Sequence, residues 1–257
     1  MPNSSDPPVK AVATSFRVLD ALLELDGAGV SELADHLGLA KSSVHSHLRT
    51  LESLGYVVRE DDGSRLGLQF FQLGMRIRDR CQIYTAARAE VDRLAGMSGL
   101  DAGIVVHEEG QGICLYSSRG QEDTAPVFGE GDRIPLHATG AGKAILAGLP
   151  RSEVDAFVDR HGLESFTTKT LTDPEELREE LRTIESRGIA YEKQEYDDDV
   201  RGIGAAITDA ENRVLGAIFL AGTSDNLSGK QLRQNNPGLV ISAKNRIENS
   251  LQTSPER

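Results

Sequence analysis

Two stretches of the 257-residue sequence combine residue types and spacing suited to holding anions. The first is Lys41-Ser42-Ser43-Val44-His45-Ser46-His47-Leu48-Arg49. On a helical wheel with Val44 turned inward, Ser42, Ser46 and Arg49 fall opposite it, with Ser43 and His45 on the flanks. Short hydroxyls let a helix approach a major groove closely and donate to phosphates or base edges, and a guanidinium pairs with a phosphate or a guanine. Serine is a poor helix former on a plain exposed face, so Ser42-Ser43 and His45-Ser46 call for a contact, and Lys41 joins this candidate set. The competing reading is the solvated helix face of a protein-interaction module. His47 lies about 60° from Val44 and reads as a half-buried packing residue.

The second stretch is Gly140-Ala141-Gly142-Lys143, which follows an extended segment and opens a helix. Free amides at the positive end of a helix suit a carboxylate, and glycines let a ligand approach the backbone. A tight helix start without a ligand is the plainer alternative. A phosphate-binding loop is a weak reading, because Ala144 stands where Ser or Thr is needed and the glycine spacing is wrong. His137 precedes this start and either orients a ligand or packs. His107-Glu108-Glu109 falls at a hairpin tip and reads as solvated, as do Glu195 and Asp197-Asp198-Asp199. No Ser/His/Asp or Cys/His set has local motif support, so no catalysis, cofactor or metal is expected. Two cysteines, Cys81 and Cys114, exclude a disulfide scaffold and a four-cysteine zinc site.

The first stretch needs a helix to present it. Val12, Phe16, Leu19 and Leu23 repeat with helical spacing. Ser31 stands as an N-cap before a short helix that Gly38 ends. A third helix runs from Ala40 to Leu54, with Val44, Leu48 and Leu51 inward and Gly55 as its stop. Tyr56–Arg59 and Arg65–Phe70 then flank the tip Asp61-Asp62-Gly63-Ser64, a hairpin pattern. Helix, helix-turn-helix and hairpin in this order describe a winged helix-turn-helix over residues 11–72. Arg59 and Arg65 on the wing could reach the nucleic-acid backbone.

A linker helix is expected over 73–96, then a domain over 97–251, with flexible tails at 1–10 and 252–257. Within the second domain Ala102–His107 and Gly112–Ser117 read as a hairpin. Gly140–Leu149 and Pro174–Ser186 read as helices, the latter with Asp173 as N-cap and Pro174 at its first position. Ile189–Glu192, Arg201–Thr208 and Val214–Ala221 read as strands, and Ser228–Leu251 as a closing helix. The fold class is α+β, with a mixed α/β C-terminal domain.

Charge sets conditions on any nucleic-acid contact. The chain carries 28 Lys and Arg against 40 Asp and Glu, a net of −12. Residues 1–80 hold nine basic and eleven acidic side chains. Phosphate contacts need cations, so one such domain should bind weakly at low salt and a dimer on two half-sites should be required. No apolar run approaches the roughly 20 residues needed to span a bilayer. The polar, proline-rich stretch Met1–Lys10 lacks an apolar core, and a cytoplasmic protein with reduced thiols is expected.

Gly29-Val30-Ser31-Glu32-Leu33-Ala34, Leu37-Gly38-Leu39-Ala40-Lys41-Ser42-Ser43-Val44-His45, Leu51-Glu52-Ser53-Leu54-Gly55-Tyr56-Val57 and Arg65-Leu66-Gly67-Leu68 resemble the N-terminal domain of IclR-type transcriptional regulators. Leu136-His137-Ala138-Thr139-Gly140-Ala141-Gly142-Lys143-Ala144-Ile145-Leu146-Ala147, Leu171-Thr172-Asp173-Pro174-Glu175-Glu176-Leu177 and Gln194-Glu195-Tyr196 with Val200-Arg201 resemble the same family's effector domain. The resemblance runs in order over about residues 11–250. It implies a winged-helix regulator, often of catabolic operons, that binds double-stranded DNA as a homodimer or tetramer. It also implies a GAF- or profilin-like domain that binds a small organic acid. The arginine-rich, lysine-poor acidity resembles that of a salt-adapted archaeal member.

The resemblance further implies an effector site. The carboxylate would meet the amides of Gly140 and Ala141, the acidic side chain falls at Glu192, and wall residues fall at Ile134 and Val200. A cysteine and two serines of relatives that bind small keto acids become Gly202, Phe219 and Ala221 here. Val200 and Gly202 share one strand face, as do Phe219 and Ala221. Gly202 would open space and Phe219 would supply a flat apolar wall. An acid larger than glyoxylate, with an apolar or ring portion, is the expected effector. The reading is a ligand-responsive transcription regulator. A ligand-sensing interaction module without DNA binding and a small-molecule enzyme are its rivals.

Overall fold

The computed structural model describes residues 7–120, 126–227 and 229–253. The chain forms two compact units, Met1–Ile77 and Arg78–Arg257. In the first unit, helices α1 (Lys10–Glu24), α2 (Val30–Leu37) and α3 (Lys41–Ser53) precede a two-stranded antiparallel wing of β1 (Val57–Arg59) and β2 (Ser64–Leu66). One core holds them, built from Val18, Leu19 and Leu22 of α1, Leu33 of α2, and Val44, Leu48 and Leu51 of α3. Gly38 ends α2 in the left-handed conformation (φ +65°), and that turn sets α3 at its angle.

Several local expectations are corrected. Ser31 is not the N-cap of α2: the helix begins at Val30 and Gly29 precedes it with no side-chain cap. The wing's second strand ends at Leu66, and Gln69 and Phe70 already belong to helix α4 (Gln69–Arg80). The stripe Val12, Phe16, Leu19 and Leu23 does not face the core as a whole. Leu19 is buried, whereas Val12, Phe16 and Leu23 are 53%, 58% and 70% exposed. The inward face of α1 is Val18, Leu19, Ala21 and Leu22.

The linker is two helices. α4 ends at Arg80, Cys81 takes an extended conformation (ψ 107°), and α5 runs over Gln82–Ser98. Nothing in the local sequence accounts for the break at Cys81. Lys10 opens α1, while residues 1–6 and 254–257 of the expected tails lie outside the described residues.

The second unit is a six-stranded antiparallel sheet in the order β5-β4-β3-β8-β7-β6. Its strands are β3 (Asp101–Glu108), β4 (Gln111–Ser118), β5 (Arg133–Ile134), β6 (Ala190–Lys193), β7 (Val200–Thr208) and β8 (Val214–Thr223). Alternation sends Ile203, Ala205 and Ile207 of β7, with Ile218 and Leu220 of β8, toward α5 and the closing helix α10 (Asn236–Thr253). The other face receives α6 (Gly140–Gly148), α7 (Arg151–His161) and α8 (Pro174–Arg187). Asp173 caps α8 as expected, accepting from the amides of Glu175 and Glu176 at 2.8 and 3.0 Å. The expected closing helix is divided into α9 (Gly229–Gln234) and α10, where Pro237 occupies the second position of α10 and lacks the amide a continuous helix would need.

Candidate DNA interface and effector site

α3 turns Val44, Leu48 and Leu51 into the core, and this fixes its outer face. Lys41, Ser42, His45, Ser46 and Arg49 are exposed, and Ser43 is half-buried. Ala40 at the N-cap offers no side-chain acceptor. The amides of Lys41 and Ser42 are thus left at the positive helix end, where a phosphate oxygen is the natural acceptor. Ser46 Oγ donates to the Ser42 carbonyl at 3.0 Å, which leaves its lone pairs as acceptors for an external donor. His47 Nδ1 lies 2.9 Å from Ser15 Oγ of α1, which ties the two helices together. Arg17 Nη2 donates to the Leu37 carbonyl at 3.1 Å and so braces the end of α2.

The two wing arginines differ. Arg59 is exposed on β1 and makes no ion pair among the described residues. Arg65 pairs with Glu60 and donates to the Leu66 carbonyl at 3.3 Å. Asp61 and Asp62 lie exposed at the tip. The wing therefore presents one uncompensated cation.

In the second unit the candidate effector residues converge. Ile134, Ala141, Phe219 and Ala221 belong to one buried cluster. Glu192, Gly202 and Ala221 stand side by side across β6, β7 and β8. Val200 is half-buried two residues before Gly202, opposite Thr223. Thr139 caps α6, accepting from the Gly142 amide at 3.1 Å and donating to the Pro135 carbonyl at 2.9 Å. No intramolecular acceptor for the amides of Gly140 and Ala141 is present among the described residues.

The motif glycines serve packing. A Cβ at Gly140 would stand 3.1 Å from the Gly204 amide nitrogen, and one at Gly142 would collide with the Leu136 backbone. The missing Cβ atoms let α6 lie directly on β7 and on the Leu136 backbone. Gly202 leaves no void. Glu192 Oε2 is 3.1 Å from where its Cβ would be.

Glu192 is 1% exposed. Its carboxyl accepts from the Tyr196 amide, at 3.5 Å from Oε1, and from the Glu195 amide. Burial pushes its pKa up to about 8, against opposing pulls from the Tyr196 amide and Lys143. At neutral pH it is a carboxylic acid, able to donate. Lys143 is committed elsewhere: Nζ donates to both oxygens of Glu195, at 2.6 and 2.5 Å. Glu195 is buried, which corrects its reading as part of a solvated run, while Asp197, Asp198 and Asp199 are exposed. His137 packs: it is buried, its Nε2 donates to the Glu164 carbonyl at 2.8 Å, and burial lowers its pKa.

An aromatic wall completes the site. The Phe219 ring lies over Gly103, where a Cβ would stand 2.5 Å from it, and meets Phe128 edge-on at 5.7 Å. Phe128 meets Tyr196, Tyr196 meets Phe166, and Phe166 meets His137 at 5.6, 5.4 and 5.8 Å. Sequence reasoning missed Lys143 as a structural cation and Phe128, Tyr196 and Phe166 as wall residues. The aromatic partners are distant in the chain, and only the Glu195-Tyr196 pair lay in a motif already singled out. Among the described residues no cluster of three His, Cys, Asp or Glu is placed to hold a metal ion. No helix among them is long and apolar enough to cross a membrane.

A winged helix-turn-helix with a hydroxyl-rich outer face, joined in one chain to a sheet domain with a buried acid and an aromatic wall, defines a two-domain DNA-binding regulator. The chain belongs to the IclR family of transcriptional regulators. Residues 11–61 match the IclR helix-turn-helix domain and residues 75–248 the bacterial transcriptional regulator IclR C-terminal domain. It is 30% identical over 250 residues to the "Probable HTH-type transcriptional regulator ArcR" of Halobacterium salinarum, covering 96% of this chain and 95% of that one. The crystal structure of the Thermotoga maritima IclR superposes with a TM-score of 0.82 at 22% identity, over 94% of this chain and 98% of that one. That of an IclR homologue from Microbacterium hydrocarbonoxydans, complexed with 4-hydroxybenzoate, gives 0.76 at 22% identity over 95% and 100%. The family's members are HTH-type transcriptional regulators that bind DNA operators, and the C-terminal domain is the effector-binding one. This removes the enzyme and the DNA-independent interaction module as readings.

Proposed function

We propose that the chain is a cytoplasmic homodimer that places two copies of α3 in successive major grooves of an operator, upstream of carbon-metabolism genes. A small organic acid with a ring would control it. The observation that carries the reading is the outer face of α3, where Ser42, Ser43, His45, Ser46 and Arg49 surround an uncapped helix start. Lys41 and Arg59 supply phosphate contacts, and Arg65 follows once it leaves Glu60. The exposed apolar residues Val12, Phe16 and Leu23 of α1 support a dimer through the first unit, and a tetramer would pair two such dimers.

The effector reading rests on Gly140 and Ala141 for the carboxylate, with Glu192 as neutral donor. Ile134, Val200, Gly202, Phe219 and Ala221 form the wall. The rings of Phe219, Phe128 and Tyr196 favour an aromatic acid over glyoxylate, and a structural neighbour of this chain is complexed with 4-hydroxybenzoate. Occupancy would shift the second unit between two states, and α4 and α5 would carry the difference to the spacing of the two reading heads.

The test is fluorescence anisotropy of the full chain on its own upstream DNA across a salt series, with 4-hydroxybenzoate or glyoxylate. Saturable, sequence-selective binding that Arg49→Ala weakens by about tenfold or more is expected. Regulation unchanged in Arg49→Ala refutes the α3 reading. Tight calorimetric binding of glyoxylate refutes the effector class.

A further inference from the structure

We propose a second ligand site in the C-terminal unit, at the end of α6 remote from Gly140 and Ala141, that takes an aliphatic carboxylate. A cavity of about 810 Å³ lies between the last turn of α6, the first turn of α7, the middle of α8 and the turn joining β7 to β8. That volume falls within the range of small-molecule sites, roughly 300–1,000 Å³. α6 has nine residues, so the cavity is about 13 Å along its axis from the amides of the effector reading. The proposal does not depend on that reading.

The lining decides the chemistry. Leu146, Leu149, Val154, Leu181 and Val214 give it an aliphatic floor. Arg151, Arg178, Arg182 and Arg213 stand with Glu153 and Glu185 in the lining, and Asp155, Glu175, Asp209 and Glu211 just outside it pair with Arg178 and Arg213. Two of these arginines are already engaged. Arg178 is held by Asp155 at 2.8 Å and Glu175 at 2.5 Å, and Arg213 by Asp209 at 2.6 Å. The other two are open. The nearest carboxylate to Arg151 is Asp155 at 3.9 Å, and Arg182 makes no ion pair or hydrogen bond among the described residues. Guanidinium forks bind carboxylates in bidentate geometry.

The first turn of α7, which no side chain caps, adds its positive end to the same rim. Among the described residues no aromatic ring lines the cavity and Asn212 is its one neutral amide side chain, so neither ring stacking nor recognition of a hydroxyl-rich ligand is provided for. An anionic head on an aliphatic tail matches both floor and rim.

Calorimetry of the full chain with decanoate, below the concentration at which it forms micelles, tests this, with decanol and acetate as controls. Expected is saturable one-to-one binding of decanoate, at least tenfold weaker for decanol and absent for acetate. The double variant R151Q/R182Q should weaken decanoate binding at least tenfold with its thermal midpoint unchanged, because Arg151 and Arg182 are exposed. Three outcomes overturn the proposal: no saturable decanoate binding, equal binding by R151Q/R182Q, or loss of binding in Glu192→Gln, which would put decanoate at the other end of α6.

Discussion

Lys143 Nζ donates to both carboxylate oxygens of Glu195, at 2.6 and 2.5 Å, and the two residues are only 1% and 7% exposed. The pair ties α6 to the loop that follows β6, 52 residues on. An ion pair this dry is costly to half-remove, because the surviving charge stays buried without its partner. Lys143→Met and Glu195→Gln should each destabilise the C-terminal unit, Lys143→Met by about 3–5 kcal/mol and Glu195→Gln by less, since its amide still accepts from Nζ. K143M/E195L should recover most of the loss, since an apolar pair of similar volume replaces both charges. Urea denaturation followed by circular dichroism measures this, and losses under about 1 kcal/mol for Lys143→Met would contradict it.

Glu192 sits one strand position from the same loop and has no cation of its own. Its folded-state pKa of about 8 lies above the ordinary value of 4.5. Between those values the folded chain keeps a proton that the unfolded chain has released. The stabilising contribution of Glu192 is therefore complete below about pH 4.5, falls as pH rises toward 8, and is constant beyond. Glu192→Gln lacks this dependence. Its stability relative to the parent should rise with pH across that window, by at most about 1.4 kcal/mol per pH unit, and level off above pH 8. Urea midpoints at half-unit steps from pH 5 to 9 give the curve, and a constant difference would show that Glu192 is ionised in the fold.

What the sequence made legible was local. Asp173 and Pro174 announce α8 because a cap and a fixed φ act within one turn, and Gly38 announces the end of α2 for a similar reason. The α3 face was legible because one wheel separates Val44 from Ser42 and Arg49. Glu195 was misread because its partner lies 52 residues away, and by composition it belongs with Asp197–Asp199. The α1 stripe shows a different limit. Periodicity finds an apolar face but does not say whether the chain itself covers it, and here Val18, Ala21 and Leu22 fill the core while Val12, Phe16 and Leu23 face outward. The glycines of α6 were legible as special, but their packing role was not, since only the fold brings Gly204 and Leu136 against them.

Arg59 and Arg65 test the wing. Arg65 is partly neutralised by Glu60, whereas Arg59 has no ion-pair partner among the described residues. Arg59→Ala should weaken operator binding uniformly across sequences and reduce the slope of log affinity against log salt by about one. Arg65→Ala should do less. Glu60→Gln should strengthen binding at low salt, with the gain vanishing at high salt where the released charge is screened. Anisotropy titrations at several salt concentrations separate the three, and equal effects of the two arginine variants would mean that Glu60 does not hold Arg65 in solution.

Phe16 tests whether the outward face of α1 is covered by a second copy. It is 58% exposed, so Phe16→Glu should leave the first unit folded and shift its thermal midpoint little. A buried glutamate on each side of a dimer interface would leave two unpaired like charges in an apolar contact, so the variant should sediment at a lower mass than the parent. Operator affinity should fall with it, because a lone head whose sequence region is slightly acidic overall gains only one half-site's phosphate contacts. Sedimentation velocity and anisotropy on the same preparations check both effects. A variant that keeps the parent's mass would place the dimer contact elsewhere, and one that loses mass yet keeps full affinity would show that a single head suffices for the operator.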